Sequence, residues 1–450
     1  MKRSNFVRMI CLLLFCALFL PFVTVNASAQ AYSEGLPDIS HAKNVYFANL
    51  DSGKIIARKG ANTKIPPAST VKIMTGMIAI EHFEGKLDTI ITVTDDMLST
   101  SSGTSMKLSA GDMLSAEDLI YGVICGGYND AAHVLSYAIA GSNRDFVSIM
   151  NEKAKNSGAK NTVYTNPTGM DDKNMYTTLE DTVIIAKVAR KNATYMEISS
   201  ATSREIHFIN EKESITIYNR NALVASYYAQ GYLNKNANGM IAGMTDEGGY
   251  CLVTESLIRE ATYLCVVMGA DAQEQQIYSY ETANSLISYA KENLGFKEIL
   301  GHGVSICDIP IDFALLNSSD EEESANVSVT AVTANAVKAF LPLNVDTSEI
   351  SYRYYLYSER LTAPIEAGTR VGGIDFYYNG EIIATEALII AEDIPANEVA
   401  LKINDFKKSI ISRKSIIFAI SFILLSLFWF YFFDYKKRRK KAKKIKYRNY

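Results

Sequence analysis

Near the C-terminus, Ser415 to Phe433 reads SIIFAISFILLSLFWFYFF, 19 residues without a charge. This run restricts the chain more than any other feature, because an uncharged apolar segment of that length matches a hydrocarbon core about 30 Å thick. A buried core helix is a poor alternative, since nothing that could cover it follows. Residues 434–450 read DYKKRRKKAKKIKYRNY and hold ten Lys or Arg. Basic flanks stay on the cytoplasmic side, so the pattern predicts a single-pass anchor over 415–433 and a basic cytoplasmic tail over 434–450. At the other end Lys2, Arg3 and Arg8 precede an apolar run from Met9 to Val25, and NASAQA offers a small-residue cleavage site after Ala29. That is the pattern of an export signal over 1–29. Cys16 follows the bulky Phe15 where a lipoprotein signal needs a small residue, so no lipid is expected there. Residues 30–414 are therefore expected on the outer face of the cytoplasmic membrane.

Charge becomes informative once it is divided by compartment. The whole chain carries 45 Lys+Arg against 49 Asp+Glu, but 13 of the basic residues fall in the signal and the tail and only Asp434 of the acids does. The exported part thus has 32 basic and 48 acidic residues, a net of −16. Such an acidic surface argues against nucleic acid as a partner and assigns the basic tail to anionic lipid headgroups. Four cysteines lie outside the signal: Cys125, Cys251, Cys265 and Cys307. They are too few for a disulfide framework and lack metal-ligand spacing. Cys251 and Cys265 fall on successive apolar strands, yet buried free thiols are the expectation. The five histidines are scattered, so no metal site and no cofactor is expected.

About 385 exported residues suffice for two domains. From 40 to 296 the patterning mixes helices and strands. NVYFANLDSGKIIARKG reads as two strands joined at Asp51-Ser52-Gly53, and Pro66-Pro67 precedes a helix carrying Val71, Met74, Ile78 and Ile80. In SAEDLIYGVIC, Ser115 and Asp118 form a helix-capping pattern, Gly126-Gly127 ends that helix, and Asn129 or Asp130 is placed to cap the next. Thr177 with Glu180 marks a further start, and GYCLVTES and ATYLCVVMGA read as strands joined by LIRE. From 300 to 393 the texture becomes β-branched and aromatic, with Asn379-Gly380 as a two-residue hairpin signal. Within it Asn317–Asn326, NSSDEEESAN, reads as a solvated loop. Residues 394–414 read as a stalk.

The chemistry centres on PPASTVKIMTG, Pro66 to Gly76. A serine hydroxyl attacks only when a neighbouring base removes its proton. Residues three apart share a helix face, so Ser69 and Lys72 can place a hydroxyl beside an amine, which must be desolvated to be neutral near pH 7. The four residues alone are a weak pattern and fit better a helix cap followed by a solvated lysine.

Four segments occur in order: PPASTVKIMTG, SSGTSMKLSAGDMLSAEDLIYGVICGGYNDAA, TNPTGMDDKNMYTTLEDTVIIAKVA and NGMIAGMTDEGGYCLV. Together they resemble the low-molecular-weight penicillin-binding proteins, the serine D-alanyl-D-alanine carboxypeptidases. The resemblance runs from about residue 40 to 393, because LTAPIEAGTRVGGIDFYYNGEIIATEALIIAED is similar to that family's trailing β domain. It implies an α/β (α+β) penicillin-binding, β-lactamase-like transpeptidase fold. This is an antiparallel sheet flanked by helices, followed by a small all-β domain and the transmembrane helix. It also implies peptidoglycan stem peptides as substrate, with β-lactams as candidate ligands.

Three family motifs build the site. S-x-x-K is matched by Ser69 as nucleophile and Lys72 as base. S-x-N aligns with Gly127, Tyr128 and Asn129, so the asparagine is kept for substrate binding and the serine is lost. K-T-G aligns with Ile241, Ala242 and Gly243, so only the glycine remains, with Thr245 matching a hydroxyl position that contacts the substrate carboxylate. The implied oxyanion hole is the backbone amide of Ser69 and one near Met244. Gly127 removes a proton relay, and Ile241 removes the cation that meets the substrate carboxylate, leaving a charge unpaired. Losing one such relay or donor costs about 10²- to 10³-fold in rate. Tyr128 is the candidate substitute hydroxyl, against a tyrosine that packs on the turn. Three functions follow from the resemblance: a carboxypeptidase with impaired turnover, a catalytically eroded scaffold that binds peptidoglycan, and a β-lactamase, which lacks an evident deacylating base.

Overall fold

The computed structural model describes residues 32, 35–60, 62–210, 212–274, 276–315, 327–411 and 413–446. The expected export signal and the acidic stretch Asn317–Asn326 lie outside the described residues. The chain divides into two compact units.

The first unit holds the described residues up to Lys297 with Ala339–Glu349 and Tyr378–Glu381. Its five-stranded sheet is built from β1 (Ala42–Asn49), β2 (Ile55–Lys59), β3 (Ala237–Thr245), β4 (Gly249–Ile258) and β5 (Ala261–Ala270), in the order β2-β1-β5-β4-β3. Every pairing is antiparallel. The central strand β5 shows how the sequence makes two faces. Successive side chains of a strand point to opposite sides, so Leu264, Val266 and Met268 enter one core while Tyr263, Cys265 and Val267 enter the other. A strand buried on both faces therefore reads as a continuous apolar run.

The first core is filled by helices α1 (Val71–His82), α2 (Ala116–Ile124), α3 (Asn129–Ala140), α4 (Asn143–Asn156), α5 (Leu179–Ala189) and α6 (Ala193–Ser200). Val71 through Ile80 of α1 are all buried. An all-round apolar helix belongs in the middle of a bundle, and α1 contacts α2, α3, α4, α5 and α6. Across the sheet, α7 (Tyr278–Asn293) packs Ala283, Leu286, Ile287 and Ala290 into the second core, the spacing of one helix face.

The helix starts differ from expectation by one residue in two places. Ser115 caps α2 as expected, accepting from Asp118 N at 3.0 Å. The cap of α5 is Thr178, which accepts from Asp181 N at 3.1 Å, and not Thr177. Thr177 is drawn away by a backbone bridge with Ile65 and a side-chain bond to Thr162 at 2.9 Å. Helix α3 starts after Tyr128 without a side-chain cap. Asp130 is spent on the preceding loop, accepting from Ser105 Oγ, Met106 N and Leu108 N, and Asn129 donates to Ser102 O. The turn between β4 and β5 is also tighter than expected: Leu257 and Ile258 extend β4, leaving Arg259 and Glu260 at positive φ.

The second unit is an all-β body with a helical C-terminus. Six strands, β6 (Ser305–Asp312), β7 (Ser328–Thr333), β8 (Ser351–Leu356), β9 (Leu361–Thr362), β10 (Arg370–Tyr378) and β11 (Glu381–Ile390), form one sheet in the order β8-β10-β11-β7-β6-β9. Its core centres on Ile309, Ile374, Leu388 and Ile390. Asn379 and Gly380 take φ of 49° and 80°, as the two-residue hairpin requires. The stretch expected as a stalk holds a helix, Glu398–Ile411. A final helix spans Arg413–Lys446, and its segment Ile416–Lys440 is long and apolar enough to cross a membrane.

Phe47 is fully buried and stacks on Tyr263 at 5.5 Å between centroids. Truncating such a side chain leaves a cavity that costs about 3–5 kcal/mol. Phe47→Ala is expected to destabilise the first unit by that amount, measured by denaturant unfolding of the detergent-solubilised chain with circular dichroism. A change below about 1 kcal/mol would contradict the packing described.

Candidate active site

Ser69 lies in a short 3-10 turn, Ala68–Thr70, that runs directly into α1. Pro67 has φ of −75°, compatible with a helical start, and Thr70 ties the turn by donating its hydroxyl to Pro67 O at 2.6 Å. Ala68 takes φ of +47°, an uncommon conformation for a residue with a Cβ. Ser69 thus sits at the positive end of a helix whose first amides have no intrahelical acceptor.

Lys72, one turn on, is almost completely buried. Its Nζ donates to Thr168 O at 2.6 Å, while Thr75 donates to Pro167 O at 2.7 Å, so the loop around 167–168 is laid over this face of α1. Burial, joined by the charge of the nearby Arg220, pushes the Lys72 ammonium down to about 7. A lysine in that state supplies a neutral amine near neutrality.

The edge strand β3 passes against the serine. A Cβ built at Gly243 would lie 2.4 Å from Ser69 Oγ and 2.5 Å from Ser69 Cβ. Only a residue without a side chain lets the strand approach that closely. Ile241 is buried in the first core, and Ala242 lines the cleft. Thr245, two residues past Gly243, donates its hydroxyl to Asp171 Oδ1 at 2.6 Å and accepts from Gly248 N at 3.0 Å. Its hydroxyl is therefore already engaged.

The turn between α2 and α3 supplies the third wall. Gly127 has φ of +67° and borders the cleft. Asn129 is buried, with its amide on Ser102 O at 2.7 Å. Tyr128 packs over Gly126 and meets Tyr228 hydroxyl to hydroxyl at 3.2 Å. Burial and that hydrogen bond raise the Tyr128 phenol pKa, which keeps the group protonated.

These walls enclose a cleft of about 320 Å³ that brings Ser69, Gly127, Ala242, Gly243 and Met244 together with Arg220, Tyr228, Tyr250 and Tyr280. Lys72, Tyr128 and Asn129 are buried behind this lining, and the half-exposed Thr245 is not part of it. Arg220 and Tyr228 escape a reading of the three motifs because they come from the irregular stretch before β3. One signal was present in NRN, residues 219–221. Both asparagines are buried and hold the loop: Asn219 donates to Ser199 O and Ala201 O, and Asn221 donates to Gly239 O at 2.7 Å. Cys125, Cys251, Cys265 and Cys307 are free thiols, and in the register of β4 and β5 Cys265 faces Thr254. Among the described residues no group of three His, Cys, Asp or Glu is arranged to hold a metal.

Comparison with known proteins identifies the family. Residues 30–272 match the family model of D-alanyl-D-alanine carboxypeptidase, peptidase S11, and residues 317–396 match that of the penicillin-binding protein 5 C-terminal domain. The chain is 29% identical over 367 residues to D-alanyl-D-alanine carboxypeptidase DacC of Escherichia coli, covering 79% of this chain and 84% of that protein. It is 23% identical over 379 residues to DacF of Bacillus subtilis, covering 83% and 91%. Penicillin binding protein 5 from Haemophilus influenzae aligns with a TM-score of 0.55 at 25% identity, covering 80% of this chain and 99% of that one. With its sheet, its helices and its trailing β unit all accounted for, the chain belongs to the D-alanyl-D-alanine carboxypeptidase family, peptidase S11.

Proposed function

We propose that this chain is a serine D-alanyl-D-alanine carboxypeptidase of the cell wall that acts on peptidoglycan stem peptides through a Ser69 acyl-enzyme, with impaired turnover. The observation that carries the reading is the buried Lys72, one turn from Ser69 and held near neutrality by its surroundings. In this scheme neutral Lys72 takes the Ser69 proton as Oγ attacks the carbonyl of the penultimate D-alanine. The oxyanion is met by the backbone amides of Ser69 and Met244. The C–N bond then breaks, D-alanine leaves with a proton, and water hydrolyses the ester.

The reduced turnover rests on what surrounds that pair. Gly127 offers no hydroxyl to return the proton, and Tyr128 is engaged with Tyr228. Ile241 is apolar and buried, so the family lysine has no counterpart on β3. The same losses favour a second reading, an eroded relative that binds stem peptides without turning them over. In both readings the segments are a signal over 1–29, a carboxypeptidase-like domain over 40–296, a β-rich domain over 300–393 and a stalk to 414. The span 415–433 anchors the exported part on the outer face of the membrane, with the basic tail on anionic lipid inside.

Three outcomes are expected. Acylation of Ser69 by a fluorescent penicillin should rise with pH through about 7, because only the deprotonated Lys72 can act as base, and Lys72→Met should abolish that limb. A flat profile from pH 5 to 9 (on the order of two units either side of the midpoint) would remove Lys72 as the base. Gly243→Ala should slow acylation by about 10²-fold or more, since the added Cβ collides with the nucleophile. Release of D-alanine from a peptide ending in D-Ala-D-Ala should be about 10²-fold or more slower than for a relative with all three motifs. Robust release abolished by Ser69→Ala would refute the impaired turnover, and no penicillin adduct by intact mass would sink the acyl-enzyme.

A further inference from the structure

We infer that Arg220 is the carboxylate-binding residue of this cleft, taking the place left by the missing lysine on β3 and selecting ligands that end in a free carboxylate. The inference rests on the reading of the Ser69 cleft given above. A peptide or β-lactam that acylates Ser69 brings a carboxylate into a half-enclosed space, where an unpaired charge is costly. Strand β3 supplies no cation, because Ile241 is turned into the core. Thr245 is already bound to the Asp171 carboxylate.

Arg220 is the charged side chain among the residues lining the cleft, which also include Ser69 and Gly127. Its guanidinium lies 4.1 Å from the centroid of the Tyr228 ring, and Nε donates to Gly126 O at 3.2 Å. Among the described residues no carboxylate forms an ion pair with it and no acceptor engages its terminal nitrogens. A guanidinium fixed by its Nε and by stacking keeps two parallel donors for a carboxylate, the geometry in which arginine exceeds lysine.

The backbone beneath Arg220 is rigidly placed. Its amide donates to Cys125 O at 3.0 Å, and the buried Asn219 and Asn221 hold either side. The loss at residue 127 belongs to the same local arrangement. A Cβ at Gly127 would come within 3.2 Å of Arg220 Cγ, so the glycine gives the arginine stem its room. The cation lies on the wall formed by the α2–α3 turn, opposite in origin to the family lysine on β3.

The test uses the full chain in detergent with Ser69→Ala, so that no turnover occurs. Binding of an N-acetylated peptide ending in D-Ala-D-Ala is compared with binding of its C-terminal amide. The acid is expected to bind about 10- to 100-fold tighter than the amide. Arg220→Ala in the same background should bring the two together, and Arg220→Lys should keep part of the preference. An undiminished preference in Arg220→Ala overturns the inference, as does equal binding of acid and amide while Arg220 is present. Binding of neither peptide overturns the function reading itself. Labelling of an otherwise wild-type Arg220→Ala chain by an uncharged fluorophosphonate checks that the site is intact. Should it fail, Arg220→Gln, which keeps the stem against Gly127, replaces it. If Arg220 served only to lower the Lys72 pKa, its loss would shift the pH limb of fluorophosphonate labelling and leave the acid preference unchanged, which also overturns the inference.

Discussion

Lys72, which has no acidic partner among the described residues, sits in the interior of the first unit, and the geometry of the site follows from that burial. Removing an ammonium from water is expensive, and Lys72 meets that cost by giving up its proton near neutrality and by donating to a backbone carbonyl. The arrangement needs α1 to be surrounded on all sides, and Val71 through Ile80 are all buried, apolar except for Lys72 and Thr75. It also needs the loop at 167–168 to close over the helix, which Thr75 and Lys72 do by binding two successive carbonyls. Ser69 then stands at the start of a helix packed on all sides, against a strand whose approach is set by the absence of a side chain at Gly243.

The electrostatics of the cleft are redistributed around this centre. On β3 residue 241 is an isoleucine whose side chain lies in the core and carries no charge. The cationic side chain in the cleft comes instead from the irregular stretch before β3, and it acts on Lys72 as well as on the space in front of Ser69. A positive charge close to a buried amine favours the neutral amine, so Arg220 and burial push Lys72 in the same direction. Asn129 and Thr245 have spent their side chains on Ser102 O and Asp171.

Much of the fold was legible because its determinants are local. The period of β5, the apolar run of α1, the Ser115 cap and the Asn379-Gly380 turn act over a few residues, and each led to the element observed. The failures at helix caps share a cause. Thr177, Asn129 and Asp130 have the chemistry of caps, but each was recruited by a segment distant in sequence: Ile65 and Thr162, Ser102, and the amides near Met106. A short polar side chain can satisfy a helix end or a loop with similar energy, and tertiary geometry chooses between them.

The sequence by itself determined the long apolar C-terminal helix, the two-part organisation, the family and the placing of Ser69 and Lys72 one turn apart, since hydropathy, periodicity and a three-residue spacing on a helix need no long-range information. The identity of the groups facing the serine was decided only in three dimensions. Ser69, Gly127, Arg220 and Gly243 come from four separate parts of the chain, and their meeting depends on how β3 and two buried asparagines dock beside α1 and the α2–α3 turn. A motif records which residues are present. Whether a side chain reaches the cleft, as Arg220 does and Thr245 does not, depends on hydrogen bonds and close contacts between segments far apart in the chain.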